Sequence, residues 1–356
     1  MRILLIRLRL IGDVVFTTPL IGALRRTYPH AHLSYVVEPH AAPVVAGNRH
    51  LDEVIVAARP RAAHRLWRDL ALVRRLRAGR YDVAIDLHGG PRSALLAWLC
   101  GAPRRIGYDT AGRSWMYTDR VGRSRTLLPR HSVVNQWDLL APLGMAAPTR
   151  DTDPTEMPVS PGALRSVRQK LAAAGVDADQ HAVVVVHVSA GNPFRRWPSA
   201  SFVELVRSLA EQDSRRRIVI LSGPSERDAA RMIGAAARAQ TNNAAHVIDD
   251  VDVDLGELRA LMEQAALFIG GDSGPLHIAG TSRVPVVGLY GPTLSQRSAP
   301  WRPDGLVTES LELDALPCRP CHQRTCEPGD YRCLGWIPPG QVAAAAERAL
   351  QRAEQG

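Results

Sequence analysis

Lysine is almost absent from this sequence of 356 residues, since Lys170 is the only lysine among 44 basic residues. Aromatic residues are also scarce, at 5% of the chain, and they do not cluster with arginine. Proteins that bind single-stranded nucleic acid stack bases on aromatic side chains along a basic groove. A nucleic-acid-binding module is therefore the least favoured interpretation of the basic composition, and we expect no nucleic-acid partner.

Long apolar runs are missing as well. No stretch approaches the ~20 uncharged apolar residues that a transmembrane helix needs, and Arg2, Arg7 and Arg9 interrupt the apolar start of the chain. These features argue against a transmembrane segment and against a signal peptide. We expect a cytoplasmic protein of about two domains, because single domains typically contain ~100–200 residues.

Positive charge is distributed unevenly along the chain. Residues 1–160 contain 23 Lys and Arg against 13 Asp and Glu, a net charge of +10, whereas residues 161–356 contain 21 against 22. A charge excess of this kind attracts anionic partners but does not specify a fold. The excess favours an anionic partner such as nucleic acid, an anionic lipid or a phosphorylated substrate, and the candidate sites must indicate which of these it is.

Short β-branched runs alternate with helical segments, which is the pattern of parallel sheets covered on both faces. Strands are predicted at Ile3–Leu8, His32–Val37, Glu53–Ala57, Val83–Asp86, Arg104–Gly107, Val183–Val188, Ile218–Leu221, His246–Ile248, Leu267–Ile269 and Val286–Leu289. Helices are predicted at Val14–Thr27, His64–Arg77, Gly162–Ala174, Ser199–Glu211, Glu226–Ala239, Leu255–Gln264, Pro275–Thr281 and Gln341–Gln355, with another ending at Leu139–Leu143.

This alternation predicts an α/β fold of two Rossmann-like, doubly wound domains that face each other across a cleft, where open sheets bind ligands at the carboxyl ends of their strands. The predicted domains are residues 1–150 and 162–356, joined by a linker at 151–161 that is rich in Pro, Thr and Asp. We expect the terminal helix to pack back on the N-terminal domain.

The first loop that suggests chemistry is Ile11-Gly12-Asp13, after the first strand. The chain contains neither G-x-G-x-x-G nor G-x-x-x-x-G-K-[ST], so NAD-type and P-loop sites lose their main support. Asp13 is interpreted either as the cap of the following helix or as a general base that faces the cleft. The two roles are compatible.

A second candidate loop follows the strand that ends near His187. It contains Ser189, Arg195 and Arg196, and the two adjacent arginines offer planar donors that suit phosphate oxygens. The alternative is a loop with two solvated arginines. Glu226, at the next strand-to-helix junction, is predicted either to accept from ribose hydroxyls or to favour the helix N-terminus electrostatically.

The third candidate segment is Gly270-Gly271-Asp272-Ser273-Gly274-Pro275-Leu276-His277. Amides at a helix start of this kind favour a diphosphate, with Asp272 available for sugar hydroxyls. Gly-Asp-Ser-Gly also surrounds the nucleophile of chymotrypsin-like proteases, but those enzymes are antiparallel barrels, whereas this chain alternates strand and helix. His277 by itself is more typical of a packed helix histidine than of a catalyst.

Four of the five cysteines fall close together, at Cys318, Cys321, Cys326 and Cys333. Four thiolates at this spacing favour a closed structural site for zinc or iron, in a knuckle over residues 317–334. Free thiols or a redox pair are the alternatives.

Taken together, four segments resemble glycosyltransferase family nine, the ADP-heptose:lipopolysaccharide heptosyltransferases of GT-B architecture. The segments are Ile11-Gly12-Asp13-Val14, Arg195-Arg196-Trp197-Pro198, Gly223-Pro224-Ser225-Glu226 and Asp272-Ser273-Gly274-Pro275-Leu276-His277-Ile278-Ala279. They occur in order, each at a predicted strand end, and the resemblance spans nearly the whole chain.

The resemblance implies inverting, metal-independent transfer of a heptose from ADP-heptose to a sugar hydroxyl of the lipopolysaccharide inner core. Asp13, beside Gly12 in the acceptor loop, matches the proposed base. Arg195 stands where the family usually has a lysine that neutralises the diphosphate, Glu226 matches a residue near the ribose, and Asp272 one near the donor heptose. The full predicted donor set is Ser189, Arg195, Arg196, Glu226, Asp272, Ser273, Gly274 and His277.

The partners implied are ADP-heptose and an anionic, lipid-linked acceptor, which fits the basic first half and predicts a peripheral position at the inner membrane. Loops determine specificity in folds of this kind. A different nucleotide sugar, or a protein hydroxyl as acceptor, therefore remains an alternative at this point.

Overall fold

The computed structural model describes residues 1–58, 65–122, 130–189, 191–314, 316–321 and 323–355, with the backbone alone at 65–68. The chain divides into two compact units, Met1–Pro158 and Val159–Gly356. Within the described residues, none of the helices is long and apolar enough to cross a membrane.

The first unit is built on a parallel sheet. Its described strands are β1 (Arg2–Ile6), β2 (His32–Val37), β3 (Glu53–Val56), β4 (Val83–Asp86), β5 (Arg104–Asp109) and β6 (Asp119–Gly122). They pair in the order β3-β2-β1-β4-β5-β6. Since the strand order reverses between β1 and β4, the carboxyl end of β1 lies at the switch point where such sheets bind ligands.

Helices connect these strands. They are α1 (Ile11–Val15), α2 (Thr18–Thr27), α3 (Ala42–Val45), α4 (Arg65–Ala78), α5 (Pro91–Leu99) and α6 (Ser132–Trp137), with 3₁₀ helices at Ser114–Met116 and Asp138–Leu143. The predicted single helix Val14–Thr27 is wrong, because Pro19 lacks the amide that would continue the helix and crowds the preceding turn. His64 of the predicted helix His64–Arg77 lies outside the described residues.

The second unit repeats the arrangement. Its described strands are β7 (Ala182–His187), β8 (Arg216–Leu221), β9 (Val247–Ile248), β10 (Ala265–Gly271), β11 (Val286–Tyr290) and β12 (Thr308–Glu312), paired in parallel in the order β12-β11-β10-β7-β8-β9. The helices are α7 (Pro161–Ala173), α8 (Ser199–Gln212), α9 (Arg227–Ala239), α10 (Leu255–Leu261), α11 (Gly274–Ala279), α12 (Ser295–Ser298), α13 (Arg332–Gly335) and α14 (Pro339–Gln355).

The two doubly wound α/β sheets confirm the predicted fold class. Every predicted strand is present, with its bounds shifted by at most two residues. The edge strands β6 and β12 were not predicted from the sequence. Because edge strands are covered on fewer sides, their sequences Asp-Arg-Val-Gly and Thr-Glu-Ser-Leu-Glu contain no continuous apolar run.

Burial on both faces explains the composition of the central strands. Val183–Val186 of β7 are fully buried between the helices that cover the sheet. The terminal helix α14 packs its buried alanines and Val342 against α8, β10, β11 and β12 of its own unit. Its expected contact with the N-terminal domain stays a prediction.

His187, the last residue of β7, is a buried histidine at the carboxyl edge of the second sheet. Its ring stacks near that of Phe268, with 6.5 Å between the ring centroids. Burial lowers the pKa of His187 to about 4. The imidazole is therefore neutral at pH 7, which suits its apolar surroundings.

A lowered histidine pKa makes stability depend on pH, because the unfolded chain binds a proton below about pH 6.5 that the folded chain does not take up until about pH 4. We expect the free energy of unfolding to fall by up to about 3 kcal/mol as the pH falls through this range. Chemical denaturation at a series of pH values measures it. In His187→Asn this part of the pH dependence should disappear, whereas His30→Asn, at an exposed position, should retain it.

Candidate active site

Asp13 lies on α1, just beyond the carboxyl end of β1. Arg7 forms an ion pair with the Asp13 carboxylate and donates from Nη1 to the Leu87 carbonyl at 2.6 Å. The Arg7 side chain is 11% exposed, whereas that of Asp13 is 32% exposed. A nearly buried cation therefore holds a carboxylate that is still open to a substrate.

Asp13 does not cap its helix. The N-cap position is occupied by Leu10, which makes no side-chain capping bond and has a φ of 37°. Such a backbone is strained for a residue with a Cβ, and strain of this kind concentrates at functional loops. Gly12, the predicted acceptor-loop residue, is half-buried beside Asp13 on α1.

A second buried carboxylate, Asp86, orders the loop that supports Arg7. Asp86 is fully buried at the end of β4 and accepts from the Tyr117 hydroxyl at 2.6 Å and from the Ser93 hydroxyl at 3.0 Å. It also accepts from the amides of His88 and Gly89. Burial raises the pKa of Asp86, and these hydrogen bonds oppose the rise. The loop that contains Leu87 is thereby fixed.

In the second unit, Asp272 follows β10 and is 2% exposed. Its carboxylate lies 3.2 Å from Arg195 Nη1 and 3.3 Å from His277 Nε2, and it accepts from the Thr293 hydroxyl. Burial raises the pKa of Asp272, but His277, Arg195 and Thr293 together hold it below its ordinary value. Asp272 is thus an anchor for Arg195 and His277, and its expected contact with a donor sugar stays a prediction.

The loops that follow β7 and β8 are joined by two polar contacts. Arg196 Nη2 lies 2.6 Å from Glu226 Oε1, and Ser189 Oγ accepts from the Gly223 amide at 2.6 Å. The Glu226 side chain is 12% exposed and that of Arg196 is 44% exposed. The structure therefore brings Ser189, Arg196 and Glu226 to one edge of the sheet.

Gly271 allows two backbone segments to lie close together beside Arg195. A Cβ at Gly271 would lie 3.2 Å from the carbonyl oxygen of Arg195, so glycine permits the close approach. Ser273 precedes α11, which begins at Gly274, and the buried Ser273 hydroxyl has no hydrogen-bond partner within the described part of the chain. A buried polar group without a partner is suited to a bound ligand.

The four clustered cysteines lie in a segment that we call the cysteine loop, the described residues 316–321 and 323–333. All four are free thiols and half-buried. Burial raises the pKa of Cys333, and nearby Cys318 and Cys326 contribute to the rise. In the described ranges, which omit His322, no three His, Cys, Asp or Glu side chains are arranged to hold a metal ion. The predicted zinc or iron on these cysteines stays a prediction.

Three residues of the candidate site were not predicted from the sequence, namely Arg7, Asp86 and Thr293. The sequence does indicate Arg7, because it is a charge in an otherwise apolar strand run. It also indicates Asp86, which is a carboxylate at a strand end before two glycines. No local pattern indicates Thr293, because only the packing of separate loops brings it to Asp272.

Known proteins are similar to this chain over nearly its whole length. Lipopolysaccharide heptosyltransferase 3 of Escherichia coli is 27% identical over 352 residues, which cover 98% of this chain and 99% of that protein. The crystal structure of a glycosyl transferase family 9 protein from Veillonella parvula superposes with a TM-score of 0.85 at 24% identity, covering 98% of this chain and 97% of that one.

A more distant structure is the iron-containing dodecameric glycosyltransferase TibC of enterotoxigenic E. coli. It superposes with a TM-score of 0.56 at 11% identity, covering 100% of this chain and 80% of that one. Similarity at this level shows a shared fold.

The profile of the family described as glycosyltransferase family 9 (heptosyltransferase) matches residues 69–331. This range covers more than half of the chain and contains Asp86, Arg195, Glu226 and Asp272, whereas Asp13 precedes it. The chain therefore belongs to glycosyltransferase family 9, the heptosyltransferases.

Proposed function

We propose that this glycosyltransferase transfers a heptose from ADP-heptose to a hydroxyl of Kdo or heptose in the inner core of lipopolysaccharide, with inversion at the anomeric carbon. The name of the similar E. coli protein supports the sugar and the pathway. The main structural support for the proposal is the position of Asp13. Its carboxylate is partly exposed, and the nearly buried Arg7 holds it at the switch point of the first sheet.

Asp13 is the general base of the proposed reaction. Its carboxylate takes the proton of the acceptor hydroxyl while the oxygen attacks the anomeric carbon of the donor. The bond from that carbon to the diphosphate oxygen breaks, and ADP leaves with the electron pair. One base and one displacement suffice, so the configuration inverts.

Positive charge in the second unit binds the leaving diphosphate. Arg195 and Arg196 supply two permanently charged guanidinium groups, held by Asp272 and Glu226 respectively. The Ser273 hydroxyl and the Gly274 amide are further donors at the start of α11. Glu226 keeps a second carboxylate oxygen for ribose hydroxyls. Groups preorganised in this way stabilise charge that develops as ADP departs.

No divalent metal is required in the proposed step, because the arginines neutralise the diphosphate and ADP is already a good leaving group. Arg195 replaces the usual lysine of the family and remains charged at any physiological pH, which suits binding and excludes proton transfer by this residue. A structural zinc or iron on the four cysteines is a separate prediction, which elemental analysis of the purified protein decides.

We further propose that the first unit binds the anionic membrane surface that carries the acceptor. Its sequence has the net charge of +10 given above. An exposed apolar patch, made of Leu95, Trp98 and Trp115, lies on α5 and the following 3₁₀ helix, with 5.2 Å between the two indole ring centroids. Tryptophan favours the membrane interface, where its apolar body and polar tip are both satisfied.

The donor is tested by measuring ADP release. Purified protein should release ADP from ADP-heptose in the presence of a Kdo-bearing lipid acceptor, and a chelator of divalent metals should leave the rate unchanged. UDP-glucose and UDP-N-acetylglucosamine serve as control donors. Turnover with the UDP-sugars alone would contradict the proposed donor.

The base is tested by Asp13→Asn. Because the acceptor hydroxyl would lose its proton acceptor, we expect kcat to fall by about 100-fold or more, with the dissociation constant for ADP unchanged. Asp82→Asn, at an exposed carboxylate before β4, is the matched control and should retain full activity. Full turnover by Asp13→Asn would remove Asp13 as the base.

The membrane patch is tested with vesicles that contain phosphatidylglycerol. Replacing Trp98 and Trp115 by serine should weaken vesicle binding by about tenfold, or about 1.4 kcal/mol, while turnover on a detergent-solubilised acceptor is maintained. Trp336→Ser is the control, because Trp336 is about as exposed as Trp115 but lies in the second unit. Equal vesicle binding by all of these proteins would contradict the proposed surface.

A further inference from the structure

Gln323 lies in the cysteine loop, between Cys321 and Cys326, and contacts the loop that contains Arg195. Its side-chain oxygen accepts from Arg195 Nε at 2.8 Å and from Asn192 Nδ2 at 2.8 Å. Since Arg195 Nη1 is bound to Asp272, two separate groups hold the guanidinium. A planar group that is held at two of its nitrogens has a fixed plane as well as a fixed position.

The backbone of the cysteine loop is strained at two residues that contact the loop containing Arg195. In the described part of the second unit, Gln323 and Tyr331 are the non-glycine residues with left-handed φ, at 56° and 51°. Tyr331 packs its ring edge-on against Phe194, the neighbour of Arg195, with 5.3 Å between centroids. Such conformations persist only where surrounding contacts enforce them, and they concentrate at functional sites.

The cysteine loop is also attached to the segment that supports Asp272. The Cys321 amide donates to the Pro292 carbonyl at 2.9 Å, and Arg319 Nη2 donates to the Thr293 carbonyl at 2.8 Å. The Gln323 amide in turn donates to Cys321 Sγ at 3.3 Å. The loop therefore reaches Arg195 through Gln323, and it reaches the Thr293 anchor of Asp272 through Arg319.

We propose that the cysteine loop is part of the donor site and that Gln323 is a positioning residue, which orients the Arg195 guanidinium toward the donor diphosphate. The inference rests on the proposed function, because it takes a nucleoside diphosphate as the ligand of Arg195. It adds that the conformation of the cysteine loop sets the affinity for that ligand. A loop that only stabilises the fold would not affect Arg195 selectively.

Gln323→Met tests this role, because methionine preserves the length of the side chain and removes the accepting oxygen. We expect the dissociation constant for ADP, measured by calorimetry, to rise by about tenfold, the effect of losing a hydrogen bond to a charged group. Gln351→Met, the same substitution at an exposed position of α14, is the control and should bind ADP as wild type does. In an Arg195→Met background, Gln323→Met should have no further effect.

A second readout does not depend on the ligand. The Arg195 Nε proton should exchange slowly with solvent in the NMR spectrum of the wild-type enzyme and rapidly in Gln323→Met. Gln323→Glu, which retains an accepting oxygen, should restore slow exchange. If wild-type enzyme bound no ADP, the proposed donor would be wrong and this measurement would still decide the role of Gln323.

Two results would overturn the proposal. One is an equal loss of ADP affinity for Gln323→Met in the wild-type and Arg195→Met backgrounds, since Gln323 would then act independently of Arg195. The other is unchanged exchange of the Arg195 Nε proton in Gln323→Met.

Discussion

Charges buried at the carboxyl ends of parallel strands must be paired, because an isolated buried ion costs several kcal/mol. In each unit, this pairing fixes the position of one predicted site residue. Arg7, nearly buried after β1, holds Asp13, and Asp272, buried after β10, holds Arg195. The partner that reaches solvent is in each case the one with a proposed chemical role. The buried partner holds the exposed partner in place, and the exposed partner is the one proposed to meet a substrate.

In the first unit, a second buried carboxylate, Asp86, supports the pair of Arg7 and Asp13. Buried Asp86 accepts from two hydroxyls and two amides, which fixes the loop after β4. The Leu87 carbonyl of that loop accepts from Arg7, and Arg7 holds Asp13. The position of the proposed base therefore depends on the hydrogen bonds of Asp86, to which it is linked through Leu87 and Arg7. An enzyme with a single base needs such preorganisation, because a displaced carboxylate cannot reach the acceptor hydroxyl.

The sequence predicts those parts of the molecule that leave a local pattern. Central strands such as Val183–Val186 are buried on both faces and therefore appear as apolar runs, and the candidate residues directly follow them. The two edge strands were missed, since half-exposed polar strands give weak signals. The break between α1 and α2 was missed although Pro19 marks it in the sequence. The contact of Gln323 with Arg195 joins residues 128 positions apart. Only tertiary packing creates it, so no local pattern contains it.

The proposed reaction is a single displacement in which Asp13 removes the proton of the acceptor hydroxyl. The most direct test is the anomeric configuration of the newly formed heptosyl linkage, determined by NMR on product made from ADP-heptose of known configuration. A single base and a single displacement predict inversion relative to the donor. Retention of the donor configuration would require either two successive displacements or attack from the face that ADP leaves, and it would rule out the single displacement proposed for Asp13.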